Sequence, residues 1–150
     1  MSEKDLTSNP SLGVVDNDTC VLCQSGQDSI SHFFFPCQYS SYLWSLSKLK
    51  LGLTGAIGTL HEEAILIQKK FRGKTKSYAL ARLAIAAVVW HIWKKRNMRT
   101  FQLQQQHKIV VFRRLYEAIW VLLRTSHWKS ESNEDSKMIL SNWNVLSDIP

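Results

Sequence analysis

Apolar side chains first recur with helical spacing between residues 38 and 50, at Tyr39, Tyr42, Leu43, Leu46 and Leu49. Returns every three or four positions gather side chains onto one face, so this stretch predicts a helix. Gly52, Gly55 and Gly58 then break the pattern and predict a loop. Thr59 opens a second helix. In Thr59-Leu60-His61-Glu62 the hydroxyl and the carboxylate can each satisfy a backbone N–H left free at a helix start. Glu62 and Glu63 suit the positive end of the helix dipole, and Lys69, Lys70 and Arg72 its negative end. Gly73 predicts the stop.

A long helix is expected from about residue 76 to about residue 105. Residues 83–93 read LAIAAVVWHIW, apolar all round, a pattern that belongs at the centre of a bundle or under a partner. Ala79, Ala81, Ala84, Ala86 and Ala87 let neighbouring backbones come close. Beyond Trp93 the run Lys94, Lys95, Arg96, Asn97 and Arg99 turns the helix basic. That half is expected to be solvated and to project, since thirty residues span about 45 Å, more than a small bundle needs. A further helix begins at His107 or Lys108 and keeps Ile109, Phe112, Leu115, Ile119 and Leu122 on one side. A break over 126–132 precedes a last short helix, started by Glu134 and Asp135 and carrying Met138, Ile139, Leu140 and Trp143. No strand pattern is strong, although a short hairpin around the cysteines is expected.

The fold class predicted is therefore mostly α, a small N-terminal knuckle around the cysteines followed by a helical bundle or hairpin of about five helices. Its divisions are a flexible lead-in (1–19), the knuckle and following helix (20–50), a loop and helix (51–75), a bundle containing the long basic-ended helix (76–146), and a tail (147–150).

Composition narrows the class. A chain of 150 residues suits one domain, and with 45% hydrophobic and 21% charged residues it is globular in character. The net charge is +7, and it is unevenly spread. Residues 64–116 hold thirteen Lys and Arg and no Asp or Glu. Segregation of that kind favours a polyanionic partner. Lys94, Lys95, Arg96 and Arg99 are the candidate phosphate contacts, joined by Arg113 and Arg114 across the helix hairpin. The most apolar run, 78–93, is shorter than the ~20 residues of a membrane span and contains Arg82 and His91, so no membrane partner is expected. The polar start carries no secretory leader, and an intracellular location, nucleus or cytoplasm, follows. There the cysteines would be thiols or metal ligands.

All three cysteines fall within eighteen residues, spaced Cys20-x2-Cys23-x8-His32-x4-Cys37. Zinc takes four tetrahedral ligands of N and S type, and two residues between cysteines let one turn present both thiolates. Four protein ligands leave no open position, so Cys20, Cys23, His32 and Cys37 predict one structural zinc ion. Three unrelated buried cysteines beside a surface histidine are the bland alternative. A Cys/His nucleophile would need an orienting third group, and none is near. Phe33, Phe34 and Phe35 could stack on unpaired bases, but packing of the knuckle against the next helix, Trp44 included, is the favoured reading. His61, Glu62 and Glu63 form half of a metalloprotease helix, but Ile65 stands where the second histidine would be needed. No enzyme and no small-molecule substrate are expected.

The motifs carry a resemblance. Cys20-Val21-Leu22-Cys23, then Ser31-His32-Phe33-Phe34-Phe35-Pro36-Cys37 and Tyr42-Leu43-Trp44, resembles the zinc-binding domain of plant non-LTR (LINE-type) retrotransposon reverse transcriptases. Ala81-Arg82-Leu83-Ala84-Ile85-Ala86-Ala87, His91-Ile92-Trp93-Lys94-Lys95-Arg96-Asn97 and Arg99-Thr100-Phe101 resemble the helix that follows it, and Ser141-Asn142-Trp143-Asn144-Val145 the closing segment. The likeness covers about residues 18 to 146. It implies the same four metal ligands and a region that helps to bind RNA or DNA. The Trp-rich segment that usually precedes the knuckle is missing, as is any Tyr-x-Asp-Asp polymerase motif. The resemblance thus implies an N-terminally truncated, non-catalytic derivative. As a domesticated fragment it could instead dock another protein through exposed aromatic surface.

Overall fold

Six helices form in the computed structural model, which describes residues 18–102, 106–125 and 134–144. Most of the expected lead-in, the break over 126–132 and the tail lie outside these residues. The helices are α1 (Ile30–Phe33), α2 (Gln38–Lys50), α3 (Leu60–Lys70), α4 (Thr75–Gln102), α5 (Lys108–Thr125) and α6 (Glu134–Asn142). The chain is mostly helical, as its periodicity predicts. Among the described residues the only strand-like pairing is a single antiparallel bridge between Thr19 and Gln27, where a hairpin was expected.

Local chemistry sets the helix ends. The Thr59 side chain accepts from the Glu62 N–H while the Glu62 carboxylate accepts from the Thr59 N–H, so the capping box is complete. Those hydrogen bonds from Thr59 also hold the Glu62 carboxyl below its ordinary pKa. Gly52 ends α2 with φ +66°, and the Met138 side chain of α6 lies where a Cβ would sit. A side chain there would face both an unfavourable backbone conformation and a collision.

α4 is the keel of the bundle: α2, α3, α5 and α6 all pack against it, and α2 also packs against α5. Leu80, Ala81, Ala84, Val88 and Ile92 form its buried stripe. Val111, Leu115, Ile119 and Leu123 supply the α5 side of the core, and Ile139 and Leu140 the α6 side. The all-round apolar character of 83–93 does not translate into all-round burial. Trp90 and Trp93 remain 54% and 47% exposed, because the neighbouring helices cover one side of α4 and leave the other open.

Two polar clasps lock the ends. Glu63, buried in α3, accepts from the Trp44 indole N–H at 2.8 Å, from the Gly58 N–H at 2.8 Å and from the Lys48 ammonium at 3.1 Å. Lys48 also donates to the Ala56 carbonyl, so the pair ties the 51–59 loop to both flanking helices. Two residues further along α2, Lys50 donates to the Asn142 carbonyl, and Asn142 donates back to the Lys50 carbonyl. The Lys50 ammonium stands 4.8 Å over the Tyr116 ring, and the Tyr116 hydroxyl donates to the Trp143 carbonyl.

Candidate metal centre

The Cys20–Cys23 turn is drawn tight by backbone hydrogen bonds. The Cys20 N–H donates to the Gly26 carbonyl at 2.7 Å, and the Gln24 N–H donates to the Cys20 carbonyl at 2.8 Å. Gln24 takes φ 57°, a left-handed value that closes the turn. Ser29 caps α1 by accepting from the His32 N–H, which fixes the histidine on the first helical turn. The Cys37 N–H donates to the His32 carbonyl at 2.8 Å, bringing the fourth ligand back beside the third. Phe35, between them, takes φ 75°, an uncommon conformation for a bulky residue. Its burial and its stacking on Trp44, with centroids 5.3 Å apart, hold it there.

The result is a single cluster. One ligand atom from each of Cys20, Cys23, His32 and Cys37 lies within 4.8 Å of the other three, close enough to hold a metal ion. Cys20 Sγ and Cys37 Sγ are 3.9 Å apart, and Cys23 Sγ is 3.3 Å from His32 Nε2. Cys20 and Cys37 are fully buried. Burial pushes the Cys37 thiol up to about 12, against hydrogen bonds from the Ser40 and Tyr39 backbone that favour the thiolate. At Cys23 burial also opposes ionisation. Hydrogen bonds from the Ser25 hydroxyl and backbone and from His32 outweigh it, so that thiol is lowered to about 6. The two thiols are thus shifted in opposite directions, and a bound cation would favour the thiolate at both.

No known protein family, curated protein or solved structure matches this chain.

Gly26 makes the cluster sterically feasible. A Cβ there would stand 2.2 Å from His32 Cε1 and 2.5 Å from its Nε2. Gly26→Ala is expected to displace the imidazole and to lower metal affinity by about tenfold or more, the scale seen for disturbed ligand support. Competition against a chromogenic chelator measures it.

The basic end of α4 does not project into solvent, and here the sequence expectation is corrected. Arg99 donates to the Val21 and Leu22 carbonyls at 3.0 and 2.6 Å, inside the Cys20–Cys23 turn, and to the Gln106 carbonyl at 3.1 Å. Its guanidinium also lies 4.7 Å over the ring of Tyr39. The Tyr39 hydroxyl is buried with no hydrogen-bond partner among the described residues, and burial pushes it up to about 12, although Arg99 pulls the other way. Arg96 forms a two-point pair with Asp28, Nε to Oδ1 at 3.2 Å and Nη2 to Oδ2 at 2.6 Å. Lys95 is buried and donates to Gln106 Oε1 at 2.8 Å. The knuckle therefore sits against the far half of α4: two of the six candidate phosphate contacts, Arg96 and Arg99, turn inward to hold it, and a third, Lys95, is buried against Gln106 between α4 and α5.

Lys94, Arg113 and Arg114 remain exposed. Arg114 donates to the same Gln106 Oε1 that serves Lys95, which draws α4 and α5 together at this end. The Lys95 ammonium is lowered first by burial, then by the like charges of Arg99, Arg114 and Lys94. Neither Asp28 nor Gly26 was singled out from the sequence. An acid 68 residues away from its arginine leaves no local pattern, whereas the cysteine spacing itself flags a tight turn in which a glycine is useful. No helix among the described residues is long and apolar enough to cross a membrane.

Proposed function

We propose that this chain is a non-catalytic nucleic-acid-binding module stapled by one structural zinc ion. The donor set supports zinc: three sulfurs and one imidazole are borderline-soft ligands that suit a tetrahedral ion. Metal–sulfur bonds of about 2.3 Å in a tetrahedron place two sulfurs about 3.8 Å apart, and Cys20 and Cys37 stand at 3.9 Å. Four protein ligands fill the coordination shell, which argues for a structural and not a catalytic ion. Three thiolates around a divalent ion leave a net charge of about −1. Arg99, bound to the carbonyls of the turn, offsets it.

The observation that carries the nucleic-acid reading is the knot of like charge where α4 meets α5. Lys94, Arg113 and Arg114 are exposed there, Lys95 and Arg99 lie behind them, and no acid occurs anywhere from residue 64 to residue 116. A polyanion laid across this end would relieve the repulsion among these charges. Lys94, Arg113 and Arg114 are the exposed members able to meet phosphates, and such contacts give affinity without sequence preference. The likeness to retrotransposon zinc-binding domains points the same way. A nuclear or cytoplasmic setting follows if the partner is RNA or DNA.

With three or four phosphate contacts, single-strand affinity is expected to fall about 20- to 50-fold between roughly 50 and 200 mM salt. Fluorescence anisotropy with a labelled oligonucleotide checks this. Replacing Lys94, Arg113 and Arg114 together by alanine should flatten the slope while leaving metal content at one ion per chain. An affinity indifferent to salt rejects the reading.

A further inference from the structure

Where the knuckle meets the open side of α4, the surface is aromatic. Trp90 and Trp93 stack on each other with centroids 5.3 Å apart and planes 28° apart. With Phe34 of the knuckle they wall a groove floored by Ala86 and Val89. A second hollow continues past Phe34 and Trp93 to Ile30 and Arg96. Phe101, 80% exposed, lies eleven residues beyond Trp90, about three turns along the same stripe and about 16 Å away. Lys94 stands one turn from Trp90 on that stripe, and exposed Arg82 stands two turns before it. Arg96 flanks the groove with its guanidinium 5.5 Å from the Phe33 ring.

We infer that this groove takes unpaired bases of single-stranded nucleic acid, stacked on Trp90, Trp93 and Phe34, with Lys94 and Arg82 meeting the phosphates on either side. The inference rests on the nucleic-acid reading above and names the form of the partner. The outer faces of the stacked Trp90–Trp93 pair, with Phe34 beside them, suit flat heterocycles, and alternating rings and cations along a helix match the spacing of a strand with a charged backbone and aromatic bases. Charge argues against a second copy of the chain. The α4 wall of the groove lies on the acid-free stretch, and Asp28, which lines the adjoining hollow, is already paired with Arg96, so a symmetric pair would bring two basic faces together. In a duplex the bases are already stacked, and the groove would have nothing to receive.

The test compares a twelve-nucleotide single strand with a hairpin duplex of similar charge, by anisotropy at one salt concentration, using zinc-loaded full chain. Trp90→Ala with Trp93→Ala is expected to lose about tenfold or more of single-strand affinity and to leave duplex affinity within about twofold. Trp90→Phe with Trp93→Phe should retain most of it, since a smaller ring still stacks. Circular dichroism and metal content establish that the variants fold, as both rings are largely outside the core. Unchanged single-strand binding by the alanine pair overturns the inference but leaves the salt-dependent reading intact. Equal loss for strand and duplex overturns it as well, since the rings would then act on the backbone alone. If wild type binds neither, both fail. If the alanine pair turns a dimer into a monomer with strand binding unaltered, the groove is a self-interface and the inference is wrong.

Discussion

Removing the metal will unfold the knuckle while most of the helical bundle stays formed. The segment from Cys20 to Cys37 has little core of its own, with Leu22, Phe33 and Phe35 as its buried apolar anchors apart from the cysteines. Its ordering depends on ligands that cannot all ionise unaided: the Cys37 thiol is pushed up to about 12 by burial. A structural zinc ion in isolated fingers supplies an apparent ~10–16 kcal/mol, part of which offsets the entropy of ordering the segment. Here a net loss of about 4 kcal/mol is expected. In a chain of this size that lowers Tm by roughly 8–16 °C. Cys20→Ser with Cys23→Ser should reproduce the effect of chelation. Because α2 to α6 bury their own core around Val88, Ile92 and Leu115, most far-ultraviolet helical signal should survive. Metal analysis and thermal melts with and without chelator read both quantities. A fully loaded protein whose melting ignores chelation would contradict the role assigned to the four ligands.

Glu63→Ala should cost nearly as much, by a different route and at the other side of α2. The carboxylate is 2% exposed and answers Lys48, which is 3% exposed, together with the Trp44 indole and the Gly58 N–H. Removing it strands a buried ammonium. Breaking one partner of a buried pair costs about 3–5 kcal/mol, whereas replacing both by apolar groups of similar size is often neutral. The double change Lys48→Met with Glu63→Leu is therefore expected to recover most of the loss, with a remainder from the unpaired Trp44 and Gly58 donors. Urea denaturation of the two single variants and the double gives the coupling. Zinc content should stay at one ion in all three. If Glu63→Ala unfolds at the wild-type urea concentration, the clasp contributes nothing.

Glu63 also shows what a linear reading can miss. From sequence it stood beside Glu62 as a charge suited to a helix start, and Glu62 does perform that task. One position further round the helix, the same residue type faces inward and becomes part of the core. The capping box was legible because all its partners lie within four residues. The metal ligands were legible because their spacing encodes the turn that brings them together. The five longer helices, α2 to α6, were legible from periodicity, and their ends fall within a few residues of expectation wherever the chain is described, whereas the single turn of α1 is too short to show a period. Arg96 and Arg99 were not legible, because their partners at Val21, Leu22 and Asp28 are set by how the knuckle docks, and Lys95 was not, because its partner Gln106 is set by how the chain turns from α4 into α5. Nor could an all-apolar run say which of its sides the neighbours would cover, so the sequence left residues 83–93 either at the centre of a bundle or under a partner.

The reach of Arg99 to the Val21 and Leu22 carbonyls has a consequence for synthesis. Sixty-two residues separate Cys37 from Arg99. At roughly 5–20 residues per second the ribosome needs about 3–12 s to add them. During that interval the nascent knuckle has all four ligands yet lacks the guanidinium that braces its first turn. Early capture of the ion, ahead of translation of the long helix, would protect all three otherwise bare thiols from oxidation and hold the first turn until Arg99 arrives.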